Sequence, residues 1–548
     1  MTVILFNFFT FLLLIFFNGK IFMDFFFKNF KDINCFECSI MGLVVTGFVS
    51  QIINFFYPLN NFIIYLNIFF IVIYIFLDFK KIKYLKPLIS FSSILIFLLV
   101  LASIYGSSFS DDLNHYHHGS IVNTDKGNYI IGSNSLHNLY GFSSIWLILH
   151  SYLNFDYSRL QDIHIVNGII LYLFLSFLLF EIIKEIRDKK NTVYLPLLLF
   201  CLIFILTKYT RIKEFGIDRS AFIIFFYIML FYIKHNLLNL KNELSDKFRI
   251  NIFLLLLFLC TFLFFIKIIF VFSFILPITI FFLIKKKSLI FKNPLIYILS
   301  IIYISYFIKN LLISGCLIYP IEQLCFSELS WYNKSTIKSL NFNAEVFNKS
   351  FFQYTGDLSK AEYIKKFYWL STWINRNIRE LFEFFALLTL IFLIVILNFN
   401  KSKNVYSNKK IKLFGLINVF LFSLILIFLK TPVVRMSHHI LVLMFFIIFL
   451  KYFRGHVIII NKKLIIIIIL IAFTFNISKN LIRIKKSNFV NNPIFLLKKS
   501  GLYSKAHKKK IGDFVYYQGW IGGYPIGRSK LENYNHKKWF IFDIISKN

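Results

Sequence analysis

Apolar runs broken by short polar intervals fill this chain from its first residues to about position 476. Many approach the roughly 20 residues a helix needs to cross a hydrocarbon core about 30 Å thick. The pattern predicts helices near 3–18, 40–57, 62–78, 87–105, 164–182, 193–207, 219–233, 251–266, 268–284, 294–313, 380–398, 412–429, 438–452 and 464–476. The 251–284 run is too long for one span, and Lys267 near its middle marks the turn of a hairpin. The expected fold class is an all-α integral membrane protein of about fourteen transmembrane helices, with long outer-face loops and a small C-terminal tail. Residues 1–476 form one polytopic domain in this reading, and 477–548 form the tail. Residues 2–17 have no basic segment before them and no small-residue cleavage site after them, so they read as a retained first helix.

Charge gives these spans a direction. Lys80, Lys81, Lys83 and Lys86 follow the third run, and Lys184, Arg187, Lys189 and Lys190 the fifth. Lys285, Lys286 and Lys287 follow the ninth, and Lys401, Lys403, Lys409 and Lys410 the eleventh. These loops fall on one side, with Lys20, Lys28 and Lys31, and the positive-inside rule makes that side cytoplasmic. The intervals 106–160, 208–218, 314–378 and 430–437, the tail and both termini then face outward. Nearly every residue with chemistry to offer lies in those outward intervals.

Composition narrows the class. A chain that is 58% hydrophobic and 20% aromatic has more apolar surface than one soluble core can bury. The formal net charge of +35 would suit a nucleic-acid binder, but no basic domain with that patterning is present. Cytoplasmic loops collect Lys and Arg in membrane proteins, and no nucleic-acid partner is expected. Of six cysteines, Cys201 and Cys260 lie in apolar runs and Cys35 and Cys38 form a lone CxxC. Cys316 and Cys325 share one outer interval, where an oxidising compartment permits a disulfide.

The first long polar interval, Gly106 to Trp146, carries Asp111, Asp112, His115, His117 and His118 between two membrane-grade apolar blocks. Carboxylates at a membrane edge are costly unless paired, metal-bound or used as a base. Asp111 or Asp112 can take a proton from an acceptor hydroxyl, or hold a divalent cation such as Mg or Mn on a phosphate leaving group. His115 and His117 join them as catalytic candidates. A solvated capping loop is the plain alternative, and a zinc set of Asp112, His115, His117 and His118 fits no common spacing.

Two further outer loops offer cations. KYTRIKEFGIDRSAF supplies Lys208, Arg211 and Arg219, and KTPVVRMSHH supplies Arg435 and His438. Guanidinium groups suit phosphate, so these five are candidate lipid-phosphate ligands. Interfacial snorkelling of long basic side chains is the plain alternative. His137 and Tyr140 in SLHNLYGFSSIW, and Trp331 in SGCLIYPIEQLCFSELSW, are candidates to contact substrate.

Taken together, these pieces resemble the GT-C class of membrane glycosyltransferases. More narrowly, DDLNHYH, LHNLYGFSSIW, SGCLIYP with CFSELSW, TPVVRMSH and GWIGGYP resemble a bacterial family of multi-spanning membrane proteins. The resemblance implies a GT-C-like fold in the inner membrane with a periplasmic active side. It implies a polyprenyl-phosphate sugar donor and a cell-envelope glycan or lipid acceptor. Asp111 or Asp112 would take the base or metal-ligand role, and Arg211 or Arg435 the donor-phosphate role. The WWDYG-type signature of oligosaccharyl transferases is missing, which argues against whole-glycan transfer to Asn. Two other readings stand beside it: an O-antigen-type polymerase or ligase, and a lipid-linked glycan transporter or flippase. Transporters tend to place charge at mid-membrane and to carry inverted repeats, which this pattern does not show.

Overall fold

The apolar runs become helices in the computed structural model of the protein. It describes residues 2–28, 30, 33–77, 79–106, 112, 116–154, 164–188, 193–212, 216–238, 245–365, 367–397, 400–402, 413–430, 432–452, 457–459, 461–486, 507–518, 524–527 and 534–547.

Helices α1 (Thr2–Phe26) and α2 (Cys35–Ile53) pack closely, and Asn34 opens α2 with a capping box to Glu37. Their backbones touch where two glycines meet. A Cβ on Gly42 would stand 1.8 Å from the Ile15 carbonyl oxygen, and one on Gly19 would stand 1.9 Å from that of Cys38. Small residues permit such close crossings in lipid. Next come α3 (Asn61–Leu77) and α4 (Phe91–Tyr105), then two short helices of the first polar interval, α5 (His118–Lys126) and α6 (Ile145–Tyr152). Helix α7 (Ile165–Arg187) is almost wholly buried and touches α1, α2, α4, α8 (Tyr194–Lys208) and α9 (Ile217–Tyr232). Helix α10 (Asp246–Ile266) ends at Lys267, whose extended backbone (φ −155°, ψ 117°) breaks the long apolar run before α11 (Ile275–Leu283).

After the short α12 (Ser288–Phe291), α13 (Pro294–Ser314) starts with Pro in its first turn and stops at Gly315 in a left-handed conformation. The polar interval that follows holds α14 (Lys334–Asn348) and α15 (Lys360–Ile364), and Cys316 and Cys325 are joined there in a disulfide. The remaining helices are α16 (Trp369–Leu397), α17 (Phe414–Lys430), α18 (Val434–Tyr452) and α19 (Lys462–Lys486).

Large apolar side chains point away from the protein on α3 (Phe62, Phe69, Phe76), α17 (Phe422, Ile425) and α19 (Ile467, Ile471). Apolar surface on this scale suits lipid contact. Among the described residues seven helices are long and apolar enough to cross a membrane, or eight if the bent pair Asn61–Leu77 and Ile82–Ile89 is one span. The expectation of fourteen spans is therefore too high. Five further apolar stretches form shorter helices, among them Phe91–Tyr105 and Tyr194–Lys208. A fifteen-residue helix is only about 22 Å long, short of a core about 30 Å thick.

The all-α expectation also needs correction at its edges. Strands β1 (Asn400–Ser402) and β2 (Val457–Ile459) pair antiparallel. Helix α19 continues to Lys486, so a boundary at 476 falls inside it. The tail beyond is β-structured. Strands β3 (His507–Ile511), β4 (Phe514–Gln518) and β5 (Ile526–Gly527) form one sheet, and β6 (Tyr534–Trp539) and β7 (Phe542–Lys547) a hairpin. Phe514 and Tyr516 are buried while Val515 and Tyr517 are less so, the alternation of a half-buried strand.

This tail is clamped onto the first polar interval. Ile131 bridges to Ile544 in parallel, with its N–H donating to the Asp543 carbonyl and its own carbonyl accepting from Ile545. Asn123 exchanges two hydrogen bonds with Ile526, at 3.1 and 2.8 Å. Ile130, Leu136 and Tyr140 share a small core with Ile511, Phe514, Tyr516 and Ile545.

Candidate functional site

The C-terminal ends of α4, α8 and α19 meet the N-terminal ends of α7 and α9. Buried polar side chains sew them together: Asn480 donates to Ser103 (3.1 Å), and Asn476 donates to the Leu206 carbonyl (2.8 Å). The Arg483 guanidinium donates to the Thr210 carbonyl (2.9 Å), the Thr210 hydroxyl (3.1 Å) and the Asn480 side-chain oxygen (2.9 Å).

Cations gather here. Arg483 lies within electrostatic reach of Arg211 and Arg219, and Lys479 within reach of Arg483, Lys208, Arg211 and the Glu383 carboxylate. Arg219 donates to the Arg211 carbonyl and lies 5.7 Å over the Tyr209 ring. Lys208 lies 5.9 Å over the Phe384 ring. His438 packs against Phe384 (5.4 Å) and Tyr209 (6.1 Å), with Glu380 at 3.9 Å. The Arg211 Nε is buried without a hydrogen-bond partner among the described residues. Like charges held this closely repel, and a bound anion would relieve them.

An acid–base group stands beside the cations. Asp218, in the first turn of α9 next to Arg219, pairs with Lys267 at the α10 break. His117 is buried, and neither ring nitrogen has a hydrogen-bond partner among the described residues. Burial pushes its imidazole down to about 4, against the pull of Asp112 and Asp218, so it is neutral at pH 7. His150 is held well below the usual histidine range by burial, with His117 and His164 adding to the effect. Its neighbour Asn167 accepts from the Trp146 indole and the Ser220 hydroxyl, each at 2.9 Å. Burial likewise lowers His164 to about 3. Asp112 is exposed. The arrangement offers an exposed carboxylate and a neutral imidazole next to a cluster of cations at one end of the helices.

Of the residues singled out in the sequence, the structure brings together Lys208, Arg211, Arg219 and His438, with Asp112 and His117 adjoining through Asp218. Arg435 stands in the first turn of α18, and its side chain lies outside the described residues. Asp111 and His115 also lie outside them. No group of three His, Cys, Asp or Glu side chains is arranged to hold a metal ion among the described residues.

The three substrate candidates have other partners. His137 accepts from the Leu139 N–H (3.1 Å), Tyr140 donates to the Ile526 carbonyl of the tail (3.1 Å), and Trp331 donates to the Leu311 carbonyl of α13 (2.9 Å). Tyr140 also lines a cavity of about 50 Å³ with Asn54, Ser120, Asn123, Ser133 and Ser144. Beside that interval Lys309 of α13 is fully buried, donating to the Ser143 carbonyl (2.8 Å) and the Gln51 side chain (3.4 Å).

Sequence reasoning missed four contributors: Asp218, Lys267, Lys479 and Arg483. A signal existed for the last two. Asn476, Lys479, Asn480 and Arg483 recur at three- and four-residue spacing, which marks one helix face. Ending the last helix at 476 hid that periodicity. No curated protein and no solved structure matches the chain. Residues 1–441, most of the chain, match the family described as a domain of unknown function (DUF8201), and the protein belongs to that family.

Proposed function

We propose that the protein is a GT-C-like membrane glycosyltransferase that moves a sugar from a polyprenyl-phosphate donor to a cell-envelope glycan or lipid. The observation that carries this reading is the cationic cluster of Arg211, Arg219, Arg483, Lys208 and Lys479 with Asp112 and His117 adjoining, at one end of the helices. By the positive-inside argument that end faces the periplasm of a bacterial inner membrane.

In the proposed step the acceptor hydroxyl oxygen attacks the anomeric carbon of the donor sugar. Its proton passes to a base, Asp112 or the neutral His117, within the usual reach of general-base catalysis. The bond from the anomeric carbon to the phosphate oxygen breaks, and the polyprenyl phosphate leaves with the electron pair. Guanidinium groups fixed before the reaction stabilise the charge that develops on it. The apolar flanks of α17 and α19 suit the polyprenyl chain, which stays in the bilayer.

The test is transfer of labelled sugar from polyprenyl-phosphate donors to envelope lipid in membranes. Asp112→Asn is expected to lower transfer by roughly 100-fold or more, the usual range for losing a general base, while the amount of protein in the membrane stays unchanged. Full transfer by that variant would remove Asp112 from the mechanism. Label carried across the bilayer without transfer would favour the flippase reading.

A further inference from the structure

The β6–β7 hairpin of the tail ends in a turn that the proposed transfer does not use. Trp539 and Phe542 pair across the two strands, so the loop consists of Phe540 and Ile541 alone. Two-residue hairpin loops favour Gly, Asn and Asp, which accept positive φ readily. Here two large apolar residues stand instead, and Phe540 takes a φ of +51°. Trp539 is 55% exposed, Phe540 83% and Ile541 51%. The Phe540 and Phe542 rings lie 5.4 and 6.3 Å from the Trp539 ring, so the tip is one continuous apolar cap. None of residues 539–541 joins the small core that holds the tail. A strained turn and exposed apolar surface both cost stability, and such features mark places where a protein meets something else.

Cations flank this cap. Lys537 and Lys538 precede it on β6, and Lys508, Lys509 and Lys510 lie on β3, which packs beside β6. All five are exposed, and none pairs with an acid among the described residues. The single acid of the hairpin, Asp543, is taken by His536 at 2.9 Å. An aromatic tip with lysines at its shoulders suits the boundary between headgroups and acyl chains. The rings bury there, while the ammoniums stay with the lipid phosphates.

The hairpin is also held at the height of a membrane edge. Helix α13 is long and apolar enough to span, and the Leu312 carbonyl in its last turn accepts from the Gly132 N–H (2.8 Å). Gly132 lies against the β7 backbone, where a Cβ would stand 2.2 Å from the Ile545 carbonyl oxygen. Four or five residues of strand separate that contact from the tip, about 15 Å. A bilayer surface is therefore within reach of a hairpin anchored there.

We propose that the Trp539–Phe540–Ile541 tip is a membrane-docking loop that enters the headgroup region of an anionic bilayer, with Lys537 and Lys538 on the lipid phosphates. A second copy of the chain is the poorer occupant, because two such tips would bring their lysines together. The inference does not depend on the transferase reading.

Full-length protein in nanodiscs tests this, with a polarity-sensitive fluorophore attached to Phe540→Cys. The unsubstituted protein is reacted alongside, to subtract labelling of the half-buried Cys35. In discs containing phosphatidylglycerol the emission should move to the blue. A nitroxide near the lipid headgroup should quench it several-fold more there than in phosphatidylcholine discs, and Lys537→Gln with Lys538→Gln should remove that difference. On the unmodified protein, amide exchange at 539–541 should be several-fold slower in the phosphatidylglycerol discs, a readout that needs no variant. Water-like emission without quenching in those discs would overturn the proposal. So would equal quenching and equal exchange in the two lipids. A blue shift that appears only when two copies share a disc would overturn it too, and would assign the tip to a second copy.

Discussion

Arg211 is the side chain whose surroundings ask most clearly for an anion, since its Nε is buried and unpartnered among cations. Arg483 is the fixed part of the same pocket, held by three hydrogen bonds to Thr210 and Asn480. If the proposed lipid-phosphate donor binds here, replacing Arg483 by Gln should raise its KM by roughly 10-fold or more, as expected for losing a charge-assisted hydrogen bond of about 1.5–3 kcal/mol, with a smaller change in kcat. A variant with unchanged KM would take Arg483 out of donor binding. The buried histidines predict a dependence of stability on pH. His117, His150 and His164 have lowered values in the folded protein, about 4 for His117 and about 3 for His164, against about 6.5 in an unfolded chain. As pH falls the unfolded chain binds protons first. The stability these neutral imidazoles contribute is whole above about 6.5 and is lost progressively down to about 4 for His117. Thermal melts of the detergent-solubilised protein should therefore fall across that window, and His117→Phe should flatten the slope. Equal slopes in the two proteins would show that His117 is not buried in its neutral form. These residues were only partly legible in the sequence. Composition of the loops pointed to Lys208, Arg211 and Arg219, but Asp218 and Lys267 meet only because α9 and α10 are neighbours in space, and spacing along the chain does not encode that.

At the scale of the element, the α1–α2 crossing and the clamped tail carry the sharpest expectations. A side chain at Gly42 would collide with the Ile15 backbone. Gly42→Leu should cost more than the roughly 1–3 kcal/mol of ordinary overpacking, because backbone must move, and should be seen as loss of monodisperse folded protein after extraction. Retention of wild-type thermal stability would contradict this crossing. Asn123→Ala removes both hydrogen bonds to Ile526 and leaves its buried N–H unsatisfied, at about 1–3 kcal/mol, while the Ile526 carbonyl keeps the Tyr140 hydroxyl. The tail should then be cleaved faster by protease while the helices stay protected. Most helices could be read from apolar runs, and the break at Lys267 from a single charge inside one. The tail could not. Its strands are short, and the alternation in β4 is stabilised by partners at 130–140 that lie far away in the sequence. Overcounting the spans has a related cause: hydropathy reports that a run is apolar, while the length of helix it forms depends on where caps and neighbours end it.

At the scale of the whole molecule, the chain sorts its chemistry to the two ends of its helices. One end has the cationic cluster, the acid–histidine group and the first polar interval with its clamped tail; the other has the Glu37–Glu181–Lys234 cluster. The direction in which these ends face the cell can be tested through cysteine. Cys325 is in a disulfide with Cys316 in the polar interval after α13, while Cys38, Cys201 and Cys260 are buried. In intact spheroplasts a membrane-impermeant maleimide should label Cys325 only after reduction. Labelling of Cys325 only once the membrane is opened would reverse the orientation and place the pocket in the cytoplasm.

The measurement that bears most directly on the central claim is photo-crosslinking with a polyprenyl phosphate that carries its reactive group next to the phosphate. The account predicts adducts within 208–219 and 476–486, competed by unlabelled polyprenyl phosphate and lost in the Arg211→Gln, Arg483→Gln double variant. Adducts confined to other segments, or unchanged in the double variant, would contradict the assignment of this pocket to a lipid phosphate.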